Sequence, residues 1–260
     1  LMDAPLPYHP PEEFAEEFAP GADATAVCQN SKEYNSGARD ITDDEWADIR
    51  GLYDAEIAHI DAQLTRLFDW LKDRGEWEDT TVVVCAAHGE LHGEHDLYGH
   101  EFCIYDPLVN VPLMVKHPDL SAERRTDTVE LVDCYHTVLD ALDVEGGTPA
   151  TDDDRAVARD PTRSLLADDY RAFDGVADPD PGQAAAPDGT YGFVEYSRPV
   201  VELKQLEEKA AAAGIDLSED SRFYSRMRAA RRPDAKYVRI DRIDDEAYRL
   251  DADPDEETNL

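Results

Sequence analysis

The sequence has no apolar run approaching the 18 or so residues that a membrane-crossing helix needs, and its first residues hold neither a basic segment nor a long apolar one. The residues as given, which open on Leu1, therefore contain no spanning helix and no recognisable leader. Positive charge is scarce: 25 basic residues, only six of them Lys, stand against 60 acidic ones, for a formal net charge of −35. A surface of that sign repels a phosphate backbone, which excludes nucleic acid as a partner. The four cysteines, Cys28, Cys85, Cys103 and Cys134, form no C-x-x-C pair and no metal-finger spacing, and each lies in or beside an apolar run. Buried free thiols are expected, not a disulfide framework.

What is present suffices for a folded core. At 260 residues and 42% hydrophobic content the chain can bury one large domain, or one domain and a smaller appendage, which argues against disorder. Its acidic residues are spread along the whole length instead of gathering in one tail. In dilute buffer such a surface repels itself, whereas molar salt shortens the Debye length to about 3 Å. The charge thus predicts a salt-adapted, haloarchaeal-like protein, with the cytoplasm of such a cell as its expected location.

Residues 1–40, rich in Pro and Gly, read as a loop leading into one or two helical turns. Thr42 and Glu45 are spaced as a capping box, and Trp46, Ile49, Leu52, Tyr53, Ile57, Ile60, Leu64, Leu67 and Leu71 follow with helical period, predicting one long amphipathic helix that ends near Gly75. The β-branched run from Thr80 to Ala87 has the pattern of a strand buried on both faces of a parallel sheet, and Val109–Val115 predicts a second. A second amphipathic helix follows, from Val129 to Leu142. Strands alternating with helices indicate a three-layer α/β domain over residues 1–143. Residues 144–190 break the composition, with Asp, Pro, Gly and Ala in place of large apolar residues, and read as an extended acidic connection. Beyond it, Tyr191–Tyr196, Lys236–Asp241 and Ala247–Leu250 read as short antiparallel strands around a helix near 201–213, a small α+β subdomain over 191–260.

The stretch with chemical content is Ala86-Ala87-His88-Gly89-Glu90-Leu91-His92-Gly93-Glu94-His95-Asp96-Leu97-Tyr98-Gly99-His100. It leaves the C-terminal end of a predicted strand, where the ligands of open α/β sheets collect. Four imidazoles and several carboxylates in it could hold a metal or an anion, or simply solvate a polar loop. A zinc-protease reading of His88 and His92 fails on order, because that motif is H-E-x-x-H on a continuous helix and this segment is H-G-E-L-H after a strand.

Here the sequence resembles the sulfatase family of the alkaline phosphatase superfamily. Four segments match in order. Met2–Pro11 resembles the family's His-x-Pro-Tyr-x-Pro-Pro segment, Tyr53–Thr81 its Y-x-x-x-I-x-x-x-D…D-T helix and turn, and Val84–Pro118 its D-H-G-E-x-x-G-E-H…V-P-x-x-x-x-P region. Lys236 to Leu260 resembles the closing K-Y…L-Y-D-L-x-x-D-P-x-E-x-x-N-L. The resemblance implies an alkaline phosphatase-like core, here incomplete, as the C-terminal portion of a sulfatase. It also implies hydrolysis of a sulfate ester, in a small molecule or a sulfated sugar, by a formylglycine made from C/S-x-P-x-R beside Ca²⁺ or Mg²⁺. Carried over by position, His88 matches the second residue of the metal-binding Asp-His pair, and His100 the downstream residue that contacts the sulfate.

Three departures bear on activity. No C/S-x-P-x-R motif occurs, Ala87 stands where the family has its metal-binding Asp, and Ala4-Pro5-Leu6-Pro7-Tyr8 has no His where the family places a sulfate-contacting one. These predict a chain inactive by itself, its metal affinity impaired. Three alternatives stay open: an enzyme completed by an N-terminal half-protein, a non-catalytic binding subunit, and a phosphodiester or phosphonate ester hydrolase of the same superfamily. Reading Val82–Ala87 as a buried strand whose C-terminal end delivers Ala87 and His88 to the ligand edge of the sheet further predicts that His88 and His100 share one cleft, with His92 and His95 the more exposed pair.

So high a density of one charge has a measurable consequence. The melting temperature of the chain should rise between dilute buffer and molar KCl as screening relieves self-repulsion. A flat or falling melting temperature would exclude salt adaptation.

Overall fold

A computed structural model of the chain describes residue 4 and residues 6–144, 159–167 and 191–260. Most of the connection expected over 144–190 lies outside the described residues. The first ordered layer is helical. Helix α1, Glu12–Phe18, and the short α2, Ser31–Asn35, precede α3, Asp43–Asp73, whose start is the expected capping box: Glu45 N–H donates to Thr42 Oγ1 at 3.3 Å and Thr42 N–H to Glu45 Oε2 at 3.0 Å. The N-terminal half of α3 buries Trp46, Ile49 and Leu52 against Tyr8, Ala19 and Tyr98. Gly51 sets how near α1 can come, since a Cβ there would lie 2.6 Å from the Phe18 carbonyl oxygen. Beyond Ile57 the apolar stripe of α3 is only partly covered, with Phe68 against Trp77 at 5.2 Å between ring centroids, and Leu67 and Trp70 are exposed.

The predicted strands form, with a different pairing. Strand β1, Val82–Cys85, pairs antiparallel with β4, Leu113–Lys116, in the register Val83 to Val115 and Cys85 to Leu113. Both strands are only half-buried, so the expectation of a parallel pair covered on both faces is corrected. The reason is the connection. A parallel pair needs a crossover that carries the chain back to the starting edge, whereas residues 86–112 contain no long helix and return at the end where β1 stopped, with Ala86 N–H donating to Pro112 O at 3.3 Å. Within that connection lie the two-residue strands β2, Leu91–His92, and β3, Tyr98–Gly99, and the single-turn helix α4, Asp106–Val109, with Pro107 in its first turn. Val109, expected in the second strand, therefore ends a helical turn. Helix α5, Leu131–Ala141, follows, and its Val132, Val138 and Leu142 side is exposed. That openness also explains the cysteines: all four are free, but Cys85 is exposed at the end of β1 while Cys28 and Cys103 are buried.

The C-terminal part is a four-stranded antiparallel sheet in the order β5, Gly192–Tyr196; β6, Met227–Arg232; β7, Ala235–Ile240; and β8, Glu246–Tyr248, with helix α6, Val200–Ala212, after its first strand. Strand β6 has no apolar alternation beyond Met227 and Ala229, and sequence patterning passes over it. The inner face of this sheet, with Met227, Val238, Ile240 and Tyr248, shares one core with Leu91, Leu97 and Leu108 of the preceding segment.

Charge ties the two parts together more specifically. Asp106, at the start of α4, accepts from Arg231 Nη2 at 2.8 Å and Lys236 Nζ at 3.0 Å, and its own N–H donates to Glu256. Lys236, completely buried, also meets Glu256 Oε1 at 2.8 Å. Burial raises the Asp106 carboxyl, but the hydrogen bonds from Arg231 and the Lys236 ammonium outweigh it and hold the group below the usual carboxylate range. For Glu256 burial prevails over Lys236, and its carboxyl is raised. Removing one member leaves buried charge uncompensated, which costs about 3–5 kcal/mol. Lys236→Met should therefore lower the unfolding free energy by about that amount in denaturant titrations in molar KCl. A loss no larger than the roughly 1 kcal/mol of a surface pair would show the cluster to be dispensable.

Candidate functional site

The polypeptide that leaves β1 is forced close to α4. Gly89 N–H donates to Leu108 O at 2.9 Å, and a Cβ at position 89 would fall 1.9 Å from Pro107 O, so no side chain fits there. This contact turns the chain and presents His88. The His88 ring stacks on that of His100 with centroids 4.1 Å apart and planes at 27°. His88 Nδ1 donates to Gly89 O at 2.8 Å, which makes Nε2 the acceptor nitrogen of the neutral ring. His100 Nδ1 lies 2.9 Å from Oε1 of Glu90, a side chain only 4% exposed. The hydrogen bond to Glu90 raises the His100 pKa, against the opposing effect of burial.

His88 and His100, singled out by the sequence, thus meet in one place, as expected. Both line a cavity of 410 Å³ that extends from Ala87 past Leu108 and Val111 to Thr128–Leu131 and Gly192–Val194. The turn that brings His100 back runs through Gly93, at φ 102°, and Gly99, at φ 92°. Residues 88–92 are not a helix, so the zinc-protease geometry is absent.

The other two imidazoles are placed differently from expectation. His92 is buried, with the Tyr8 hydroxyl 3.0 Å from its Nε2, and burial lowers its pKa to about 4. His95 is half-buried, stacked on Tyr105 at 3.6 Å, with burial and then Arg222 lowering its pKa. Both corrections have one cause: the loop is pinned from both sides. Asn35 holds both backbone groups of Tyr98, at 2.8 and 2.9 Å, and Arg50 Nη2 donates to His92 O at 2.7 Å. Spacing cannot anticipate that Tyr8 approaches His92 from 84 positions away, or that Tyr105 lies flat on His95. Nor does it single out Glu90 as the partner of His100, although the place of Glu90 two residues after His88 is visible in the sequence.

The residues present do not by themselves fit Ca²⁺ or Mg²⁺. Among the described residues no three His, Cys, Asp or Glu side chains converge. Ala87 offers only a methyl group, Glu90 is engaged by His100, and a single imidazole nitrogen does not satisfy a hard cation that takes roughly six to eight oxygen ligands.

Three likenesses to known proteins bear on this geometry. Bovine (Bos taurus) arylsulfatase K is 34% identical over 101 residues, which are 38% of this chain and 18% of that protein. The phosphonate monoester hydrolase of Agrobacterium radiobacter superposes with a TM-score of 0.54 at 24% identity, over 84% of this chain and 38% of that one. A crystal structure of a putative sulfatase from Bacteroides thetaiotaomicron gives a TM-score of 0.58 at 18% identity, over 100% of this chain and 48% of that one. The two structural likenesses establish the mixed α/β, alkaline phosphatase-like fold, and this chain spans less than half the length of each relative. The sulfatase family model matches residues 4–144, more than half of the chain and the whole segment from Tyr8 through the His88–His100 cleft to α5. The chain belongs to the sulfatase family.

Proposed function

We propose that this chain carries one wall of an ester-hydrolase site whose substrate presents a tetrahedral oxyanion, a sulfate in a small ester or a sulfated sugar, to His88 and His100. The observation that carries the reading is the His88–His100 stack at the end of β1, with His100 held by Glu90. A cationic His100 would bond a sulfate oxygen by a charge-assisted hydrogen bond. His88, with Nε2 as its acceptor nitrogen, would serve a metal in a completed site, to which this chain adds no carboxylate at position 87.

Turnover by this chain alone is not part of the proposal, since no C/S-x-P-x-R nucleophile motif is in its sequence. The uncovered apolar residues of α3 and α5 support completion by an N-terminal half-protein that would bring nucleophile and carboxylates. A second reading, a non-catalytic binding subunit, is favoured by the methyl group of Ala87, which leaves that position of the cleft without a carboxylate for a metal. A third, hydrolysis of phosphodiesters or phosphonate esters, takes support from the Agrobacterium likeness, and its tetrahedral anion is of the same shape.

Incubated with 4-nitrophenyl sulfate in molar KCl and Ca²⁺, the chain alone should release no nitrophenolate above background; release that survives repurification and vanishes in His88→Ala would overturn this part. The His100–Glu90 pair can be read by NMR titration of the imidazoles. His100 should titrate above the ordinary value of about 6.5, and Glu90→Gln should bring it down. Because the folded pKa is raised, the pair stabilises the fold fully below about pH 6.5 and loses its effect as pH rises through the folded value. The destabilisation caused by Glu90→Gln should accordingly be larger at about pH 5 than at about pH 9. Equal losses at both, with an unmoved His100 titration, would remove Glu90 from the site.

A further inference from the structure

Two of the four free thiols lie side by side. Cys85 ends β1 and is exposed, and Cys134 is half-buried in the first turn of α5. Their side chains are hydrogen-bonded to each other. The packing around them agrees. Cys85 pairs with Leu113 across the two-stranded sheet, and Leu113, Ala87 and Leu131 line one cavity, so the start of α5 lies against the end of β1. Cys134 follows Leu131 by three residues and is on the same side of the helix. The remaining two thiols are closed off: Cys28 is buried and donates to Asn30 O at 3.8 Å, and burial pushes Cys103 up to about 12.

We propose that Cys85 and Cys134 form a dithiol modification site, which a small-molecule disulfide converts to an intramolecular disulfide bond joining β1 to α5. Burial, and then the neighbouring Cys85, push the Cys134 thiol up to about 11, so Cys134 keeps its proton at neutral pH. Cys85 meets solvent and is the thiol that a reagent reaches first. Its thiolate attacks one sulfur of the small disulfide, whose S–S bond breaks and releases one small thiol. The Cys134 sulfur then attacks Cys85 in the mixed disulfide and expels the second small thiol, which takes the Cys134 proton. Two protein thiols are oxidised and one small disulfide is reduced to two thiols. The segment between the two sulfurs contains His88, Glu90, His100, α4 and β4, so the bond staples the piece of chain that forms the cleft. Closing a loop of about 50 residues removes conformations from the unfolded chain and stabilises the folded one.

The test treats the full chain with oxidised glutathione in molar KCl at about pH 8, near the ordinary thiol pKa, and counts thiols after unfolding. The four thiols should fall to two, and dithiothreitol should restore them. Peptide mapping should join Cys85 to Cys134 within one chain. The oxidised chain should melt about 5 °C or more above the reduced one. Cys134→Ser should stop at the mixed disulfide and carry one glutathione on Cys85, whereas Cys85→Ser should take up glutathione about tenfold more slowly. Mapping of the unmutated chain decides the pairing, so a variant that fails to fold does not. Four thiols surviving in the unmutated chain would overturn the proposal, as would a bond to Cys28 or Cys103, a Cys85–Cys85 bond between two chains, or an oxidised chain that melts no higher than the reduced one.

Discussion

The position of His88 depends on a buried cluster of charge some distance from it. Asp106 is fixed by Arg231, Lys236 and Glu256, all from the C-terminal part of the chain. Asp106 starts α4, α4 offers the Leu108 carbonyl to Gly89, and Gly89 turns the chain so that His88 lies on His100. Each link is short and tolerates little substitution, because a buried charge needs its partner and a backbone in contact with a carbonyl oxygen admits no Cβ. The C-terminal sheet is therefore more than an appendage. It sets the helical turn against which the loop is moulded, and it supplies a wall of the cavity.

Within one short loop, partners and burial sort three chemically identical side chains into two states. His100 keeps a carboxylate partner and is pushed toward the cation, whereas His92, enclosed by Tyr8, Tyr53 and Tyr98, is pushed toward the neutral ring. His95 is pressed flat on Tyr105 beside the Arg222 guanidinium and is also held toward neutrality. A charged oxyanion is served by the first kind of histidine and a rigid scaffold by the other two.

Local signals in the sequence are strong where the physics is local. The Thr42–Glu45 capping box and the period of α3 need only neighbouring residues, and both are found within a residue or two of expectation. Gly93 and Gly99 mark a sharp return that brings His100 to His88, and the return exists. Non-local facts are not legible. The antiparallel pairing of β1 and β4 is decided by how residues 86–112 travel, the burial of His92 by a tyrosine 84 positions away, and strand β6 by its neighbours β5 and β7 more than by its own Arg- and Ala-rich residues.

The Asp106 cluster also imposes an order on folding. Its bonds to Lys236 and Glu256 bridge 130 and 150 positions, so the loops they close hold half or more of the 260 residues. Closing such loops costs conformational entropy before any contact compensates, and proteins dominated by distant contacts fold slowly. During synthesis Asp106 leaves the ribosome long before its partners do, and α4 must wait, with Gly89 and both cleft histidines, until Arg231, Lys236 and Glu256 have emerged. The histidine loop thus sets only after the C-terminal sheet has formed, and a nascent chain stalled before Lys236 would carry its histidines on an unmoulded strand.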